Sequence, residues 1–184
     1  MTEQRNEALV EVHGVSPEHT EEQATAVGNA MLIVLGSAGL IMSMEMNRFV
    51  EIAADYDATP EEIAGWRRFD YANANLADQM SVEPRLARHM MYEAVRIIRP
   101  SAPPGPSRKI TAVARTLGVQ QATVSMLEAA VTAEEMLARA RATLERSAKR
   151  RPGVVSPKIE AGFATITEQE ADIRQMRLKA MEDG

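Results

Sequence analysis

The chain contains no cysteine, and aromatic side chains make up only 4 % of its 184 residues. Without Cys there are no disulfides, no thiolate zinc or iron–sulfur ligands and no cysteine nucleophile, and the redox compartment stays open. Histidine is almost as scarce, with His13, His19 and His89 alone. No Glu-x-x-His pair occurs, so a di-iron four-helix site has no support. Glycine-rich phosphate loops and Gly-x-Ser-x-Gly elbows are missing too. Alternating apolar residues do not occur, which leaves no strand signal. The first residues are acidic and lack an early apolar core, unlike a secretory signal, so a cytoplasmic protein is expected. What remains, 45 % hydrophobic and 26 % charged residues, is the composition of a globular chain.

The net charge of −5 hides an asymmetry. Residues 1–95 hold 6 basic and 16 acidic side chains, residues 96–151 hold 11 and 4, and residues 152–184 hold 4 and 6. A split from −10 to +7 points to head-to-tail self-association or an anionic partner for the second half; two solvated faces that merely differ are the alternative. Lys149-Arg150-Arg151, with Arg139, Arg141 and Arg146, reads as a basic helix end.

Start and stop signals divide the chain. Residues 1–19 are Glu-rich without apolar period and read as an acidic flexible tail. Thr20 with Gln23 forms a capping box for a first helix from about Glu21, carrying Ala24, Val27, Met31, Val34, Leu35 and Ala38 and broken at Ser37-Ala38-Gly39. A second helix runs from Ser43 to about Asp55. Thr59-Pro60-Glu61-Glu62 opens a third, through Ile63, Trp66 and Tyr71 toward Met80. Glu83-Pro84 opens the fourth, and the proline-rich stretch 100–106 predicts a stiff, non-helical connection. Ser107 caps a fifth helix that stops at Gly118; a sixth runs from about Gln121 to Arg150, and Pro152-Gly153 ends it. Residues 153–163 read as a linker, and Thr167 with Glu170 caps a last helix to about Glu182. The fold class is therefore all-α. Residues 23–44 carry no charge, long enough to raise a membrane span, but Gly28, Asn29, Gly36, Gly39 and Ser43 favour a buried hairpin.

The chain also repeats itself. A shift of 63 lays Val27, Met31, Val34 and Leu35 on Met90, Ala94, Ile97 and Ile98; a shift of 61 lays Ile52, Ala53, Tyr56 and Ile63 on Val113, Ala114, Leu117 and Val124. Two three-helix repeats, about 20–80 and 84–151, followed by a linker and C-terminal helix in 152–184, are the expected organisation. Ser37-Ala38-Gly39-Leu40-Ile41 with Glu45, Tyr92-Glu93-Ala94-Val95-Arg96-Ile97, Ala114-Arg115-Thr116-Leu117-Gly118-Val119, and Leu127-Glu128 through Val131, Glu134, Leu137 and Arg141 carry a resemblance. With these strings, residues 24–146 resemble the TerB-like family, the helical domain first named in tellurite resistance. That resemblance implies Asp-Gly followed by Glu, acids fit for metal or an acidic surface. Here Ala38 stands at the Asp position and only Glu45 survives; Ser101, Ala102 and Pro106 stand in the second repeat. One carboxylate is too few for a hard cation, so neither metal nor cofactor is expected.

Three sets of residues are candidates for function. Met31, Met42, Phe49, Trp66, Met90 and Tyr92, from a chain with 12 Met, suit either an ordinary core or a groove between the repeats that takes an apolar small molecule or a protein partner. Glu45, Glu93, Tyr71, Asp70 and His89 suit acid–base chemistry without metal or cofactor on a hydrophobic substrate; His89 and Glu93 stand at i, i+4 spacing, which also describes ordinary surface neighbours. Residues 107–130 fit a helix-turn-helix in which Gln120, Gln121, Thr123 and Ser125 are side chains that read base edges. The first repeat has the same spacing but presents Glu61 and Glu62, so helix packing by itself also generates the pattern. A homo-oligomer that binds an apolar molecule or partner is the leading expectation, with nucleic acid as the alternative and no membrane span.

Overall fold

The computed structural model describes residues 21–56, 58–102, 107–149 and 156–182, and every regular element among them is helical. Helices α1 (Glu21–Gly36), α2 (Ser43–Asp55) and α3 (Pro60–Arg68) form the first set, joined by the short α4 (Leu76–Gln79). Helices α5 (Pro84–Ile98), α6 (Arg108–Leu117) and α7 (Gln121–Lys149) form the second, and α8 (Pro157–Glu182) follows. Two compact units divide between Val124 and Ser125, inside α7.

In the first unit the stretch without charge divides in two: residues 30–35 lie in the core, whereas Leu40, Met42, Ser43 and Met44 are exposed, so the buried hairpin expected over 23–44 does not form. Residues 30–35 are buried without interruption, and α3, α4, α5 and α6 all pack on α1. A helix enclosed on every side has no face for a charge. Among the described residues no helix is long and apolar enough to cross a membrane. Helix α5 is its counterpart, buried at residues 89–95 and at Ile97 and Ile98, against α1, α2 and α6. Five of the eight residue pairs that the shifts of 63 and 61 align are buried on both sides. Met31 and Ala94, Val34 and Ile97, Leu35 and Ile98, Ile52 and Val113, and Ala53 and Ala114 are buried pair by pair.

Local signals set most boundaries. The Thr59 hydroxyl accepts from the Glu62 N–H at 3.2 Å while the Glu62 carboxylate accepts from the Thr59 N–H at 2.7 Å, closing a capping box with Pro60 at the first helical position. Ser107 Oγ accepts from the Ile110 N–H, and Gly118 ends α6 with φ 68°, a left-handed conformation that costs any residue with a Cβ. Gly118→Val is expected to destabilise by about 1–2 kcal/mol, read as a lower urea midpoint with unchanged slope.

Three boundaries differ from the sequence expectation. The third helix stops at Arg68 and does not reach Met80. Phe69 turns extended, and Tyr71 leaves the helix to lay its ring on Gly36, where a Cβ would stand 2.3 Å from ring carbon. Asn73 and Asn75 are weak helix formers, and Asn75 caps the short α4 instead. Residues 99–101 close a 3₁₀ turn around Pro100 where a non-helical connection was expected; residues 103–106 lie outside the described part. The last helix starts at Pro157, ten residues before the expected Thr167 cap. Ser156 Oγ accepts from the Lys158 N–H at 3.3 Å, so Ser-Pro supplies the start, and the Thr167 hydroxyl bonds back to the Phe163 carbonyl. The Thr20 cap, the acidic tail with His13 and His19, and Arg150-Arg151 also lie outside the described residues.

In the second unit, α8 runs antiparallel to the rest of α7. Arg177 pairs with Glu134 at 3.0 Å and Arg141 with Glu170 at 2.5 Å, acid and base exchanging helices between the two pairs. Gly162 lets α8 close on Leu144, and Ile166, Ala180 and Met181 are buried.

Candidate functional site

Glu45, one of the acid candidates of the sequence, is 1 % exposed. Placed in the first turn of α2, its Oε2 accepts from the Met42 N–H at 2.8 Å, which satisfies a helix-start donor. The same oxygen accepts from Lys109 Nζ at 2.5 Å, and the Ser101 hydroxyl lies at 3.5 Å from Oε1. Lys109 also donates to the Leu40 carbonyl at 2.9 Å. The loop oxygens that face a cation thus already hold an ammonium, carried by α6 of the second repeat. Among the described residues no group of three or more His, Asp or Glu side chains converges as a metal site does.

Those bonds fix the α1–α2 loop across the meeting of the repeats. The Ser37 and Thr116 hydroxyls share a hydrogen bond at 3.0 Å, and Tyr71 Oη accepts from the Ile41 N–H at 3.2 Å. The loop held in this way directs apolar side chains outward. Leu40 is 83 % exposed, Met44 58 % and Met42 47 %. Three large apolar groups within five residues, on the anchored loop and the first turn of α2, are exposed apolar surface of the kind that marks interaction sites, and methionine adapts to the shape of what it meets.

The second polar cluster lies on α5. Glu93, buried, accepts from Tyr56 Oη at 2.9 Å and from Arg96 at 2.8 and 3.1 Å, with His89 Nε2 at 3.7 Å. Arg96 sits over the Tyr92 ring and 3.9 Å from Asp55. Burial first, and then the Glu93 charge, push the Tyr56 hydroxyl far above its ordinary range. Burial opposes the Arg96 charge, but Glu93, Tyr92 and Tyr56 outweigh it and hold the guanidinium protonated. For Tyr56 the sign follows from which state binds the proton. Above pH 10, the ordinary value for tyrosine, the unfolded chain releases it and the folded chain keeps it. Stability from this group is therefore constant below pH 10 and falls above it, by up to about 1.4 kcal/mol per pH unit. Tyr56→Phe is expected to remove that part of the alkaline slope, measured by urea titrations between about pH 9 and 11.

The remaining candidates are dispersed. Asp70 is exposed and accepts from Asn73 at 2.8 Å. Tyr71 serves the loop, as described. Met31, Phe49, Trp66, Met90 and Tyr92 are buried core side chains, with Phe49 and Trp66 in edge contact at 5.4 Å, whereas Met42 stands at the surface. Gln120, Gln121 and Ser125 are exposed, and Thr123 is buried. Reading the sequence missed Lys109, Tyr56, Leu40 and Met44. For the last two a signal existed, because an apolar run continued through the break between Gly39 and Ser43.

The chain matches no family model, and neither a curated protein nor a solved structure is significantly similar to it.

Proposed function

We propose that the chain is a protein-binding module whose docking surface is the α1–α2 loop at the junction of its two repeats. The observation that carries this is the exposure of Leu40, Met42 and Met44 on that loop and the first turn of α2, held by Lys109, Glu45, Tyr71 and Thr116. Exposed apolar side chains of this kind suit a protein surface better than an apolar small molecule, which needs enclosing walls. The basic balance of residues 96–151 favours a partner that offers apolar side chains beside carboxylates. A second copy of the chain satisfies that description through its acidic first 95 residues, so self-association belongs to the proposal, as does a cytoplasmic setting. The TerB-like reading belongs to it as well, supported by the pairwise burial of the two repeats. Binding is favoured over acid–base catalysis because Glu45 and Glu93 each satisfy a cation and neighbouring donors within the fold.

A photo-crosslinking amino acid at Met44 tests the reading, with the same group at the exposed Ala164 as the control. Intact mass after irradiation is expected to show a chain joined to a second chain or to another protein from Met44 and not from Ala164. A monomer from both positions refutes the docking surface. A separate check is Leu40→Ser, expected to lower the Met44 crosslink at least about fivefold, since loss of an apolar anchor costs about 1 kcal/mol or more.

A further inference from the structure

The turn between α6 and α7 carries chemistry that the docking loop does not use. Its frame is a helix-turn-helix: Gly118 in the left-handed conformation, the Val119 N–H donating to the Ala114 carbonyl at 2.9 Å, and Ala114 and Val124 buried on either side. The first repeat builds a similar frame from α2 and α3, with Ala53 buried at the matching place. Packing explains the frame in both. It does not explain what each frame presents. Helix α3 opens with Pro60, Glu61 and Glu62 and stops after 9 residues, an acidic surface that repels phosphate. Helix α7 opens with Gln121 after Gln120, both exposed, and no acid stands in its first turn. Carboxamides at such a position pair bidentately with the N6 and N7 edge of adenine in a major groove.

The surroundings differ in the same sense. Residues 83–124 contain seven Arg or Lys against two acids, the exposed Glu83 and the buried Glu93, with Arg96 paired to Glu93 and Lys109 to Glu45. Arg85 and Arg115 are exposed. Arg88 lines a cleft of about 230 Å³ beside the turn, with Gly118, Gln120 and Thr123. An excess of basic over acidic side chains around neutral, donor-and-acceptor ones is the pattern of a surface that holds phosphates and reads bases.

We infer that the α6–α7 turn binds double-stranded DNA, with Gln120 and Gln121 at base edges in the major groove and Arg85, Arg88 and Arg115 on the phosphates. This function is independent of the docking loop and stands or falls without it.

The test is fluorescence anisotropy of a labelled random-sequence duplex titrated with the full chain. Three phosphate contacts predict about a 40-fold loss of affinity between about 50 and 200 mM salt. Arg115→Ser is expected to weaken binding and lower the salt slope by about 1. Gln121→Glu separates binding from folding, because an acid at a helix start favours the helix while repelling phosphate. It is expected to weaken binding more than tenfold with the circular dichroism spectrum unchanged. Glu61→Gln in the first repeat is expected to change nothing. The inference is overturned by no binding at about 100 µM protein in low salt. Binding that Gln121→Glu and Arg115→Ser leave unaltered overturns it too, as does preference for single-stranded RNA over the duplex.

Discussion

Lys109→Met is expected to destabilise the fold by about 3–5 kcal/mol, the cost of leaving a buried charge without its partner. Glu45 is 1 % exposed, and Lys109 is the cation that faces it. Removing the ammonium leaves the carboxylate with the Met42 N–H and the more distant Ser101 hydroxyl, and it frees the Leu40 carbonyl. Methionine keeps most of the apolar stem, so the loss reports charge more than packing. Adding Glu45→Leu is expected to restore part of the stability, since an apolar pair replaces a buried ion pair at little cost. The recovery stays incomplete because the Met42 N–H then loses its acceptor. Urea denaturation of the two single variants and the double variant gives the coupling directly. Additive losses would show that Glu45 and Lys109 do not depend on one another. The same variant loosens the docking loop, so the Met44 crosslink is expected to fall with it.

Trp66→Ala is expected to cost about 3–5 kcal/mol, a large share of the roughly 5–15 kcal/mol available to a domain. The indole is buried, stacks its edge on Phe49 and donates from Nε1 to the Thr25 carbonyl at 3.3 Å. Its ring lies on Gly28, where a Cβ would stand 2.2–2.4 Å from indole atoms. Gly28→Ala in the otherwise unchanged chain therefore forces the ring aside and is expected to cost about 1–3 kcal/mol. In the Trp66→Ala chain the sign reverses. The obstruction is gone, and alanine gains up to about 1 kcal/mol over glycine inside a helix. Destabilisation by Gly28→Ala in both chains would refute the close approach. Trp66 is the single tryptophan, so its emission follows the unfolding of the intact chain and of Gly28→Ala.

The helix starts were legible wherever the signal was local. Thr59-Pro60, Ser107 and Gly118 act within one turn, through a side chain or a backbone dihedral that the residue itself dictates. The end of α3 was not legible, because Tyr71 leaves the helix for Gly36, a residue 35 positions earlier. The start of α8 was available as Ser156-Pro157 but lost to the Thr167-Glu170 pattern, whose threonine bonds backward inside a helix already formed. In the candidate site Glu45 was readable as an acid left where its repeat partner has none. Its cation was not, since Lys109 lies 64 residues away and no spacing rule connects them.

By itself the sequence determined an all-α chain and the uncharged stretch that its first helix carries into the core. Apolar period and capping chemistry act over a few residues and are written where they act. The tertiary structure alone decided which side of each charge faces a partner. It turned Met31, Phe49, Trp66, Met90 and Tyr92 inward, left Leu40, Met42 and Met44 outside, and paired Glu45 with Lys109 and Glu93 with Tyr56 and Arg96. Burial and ion pairing depend on what the rest of the chain places around a residue, and that placement exists only once the helices have packed.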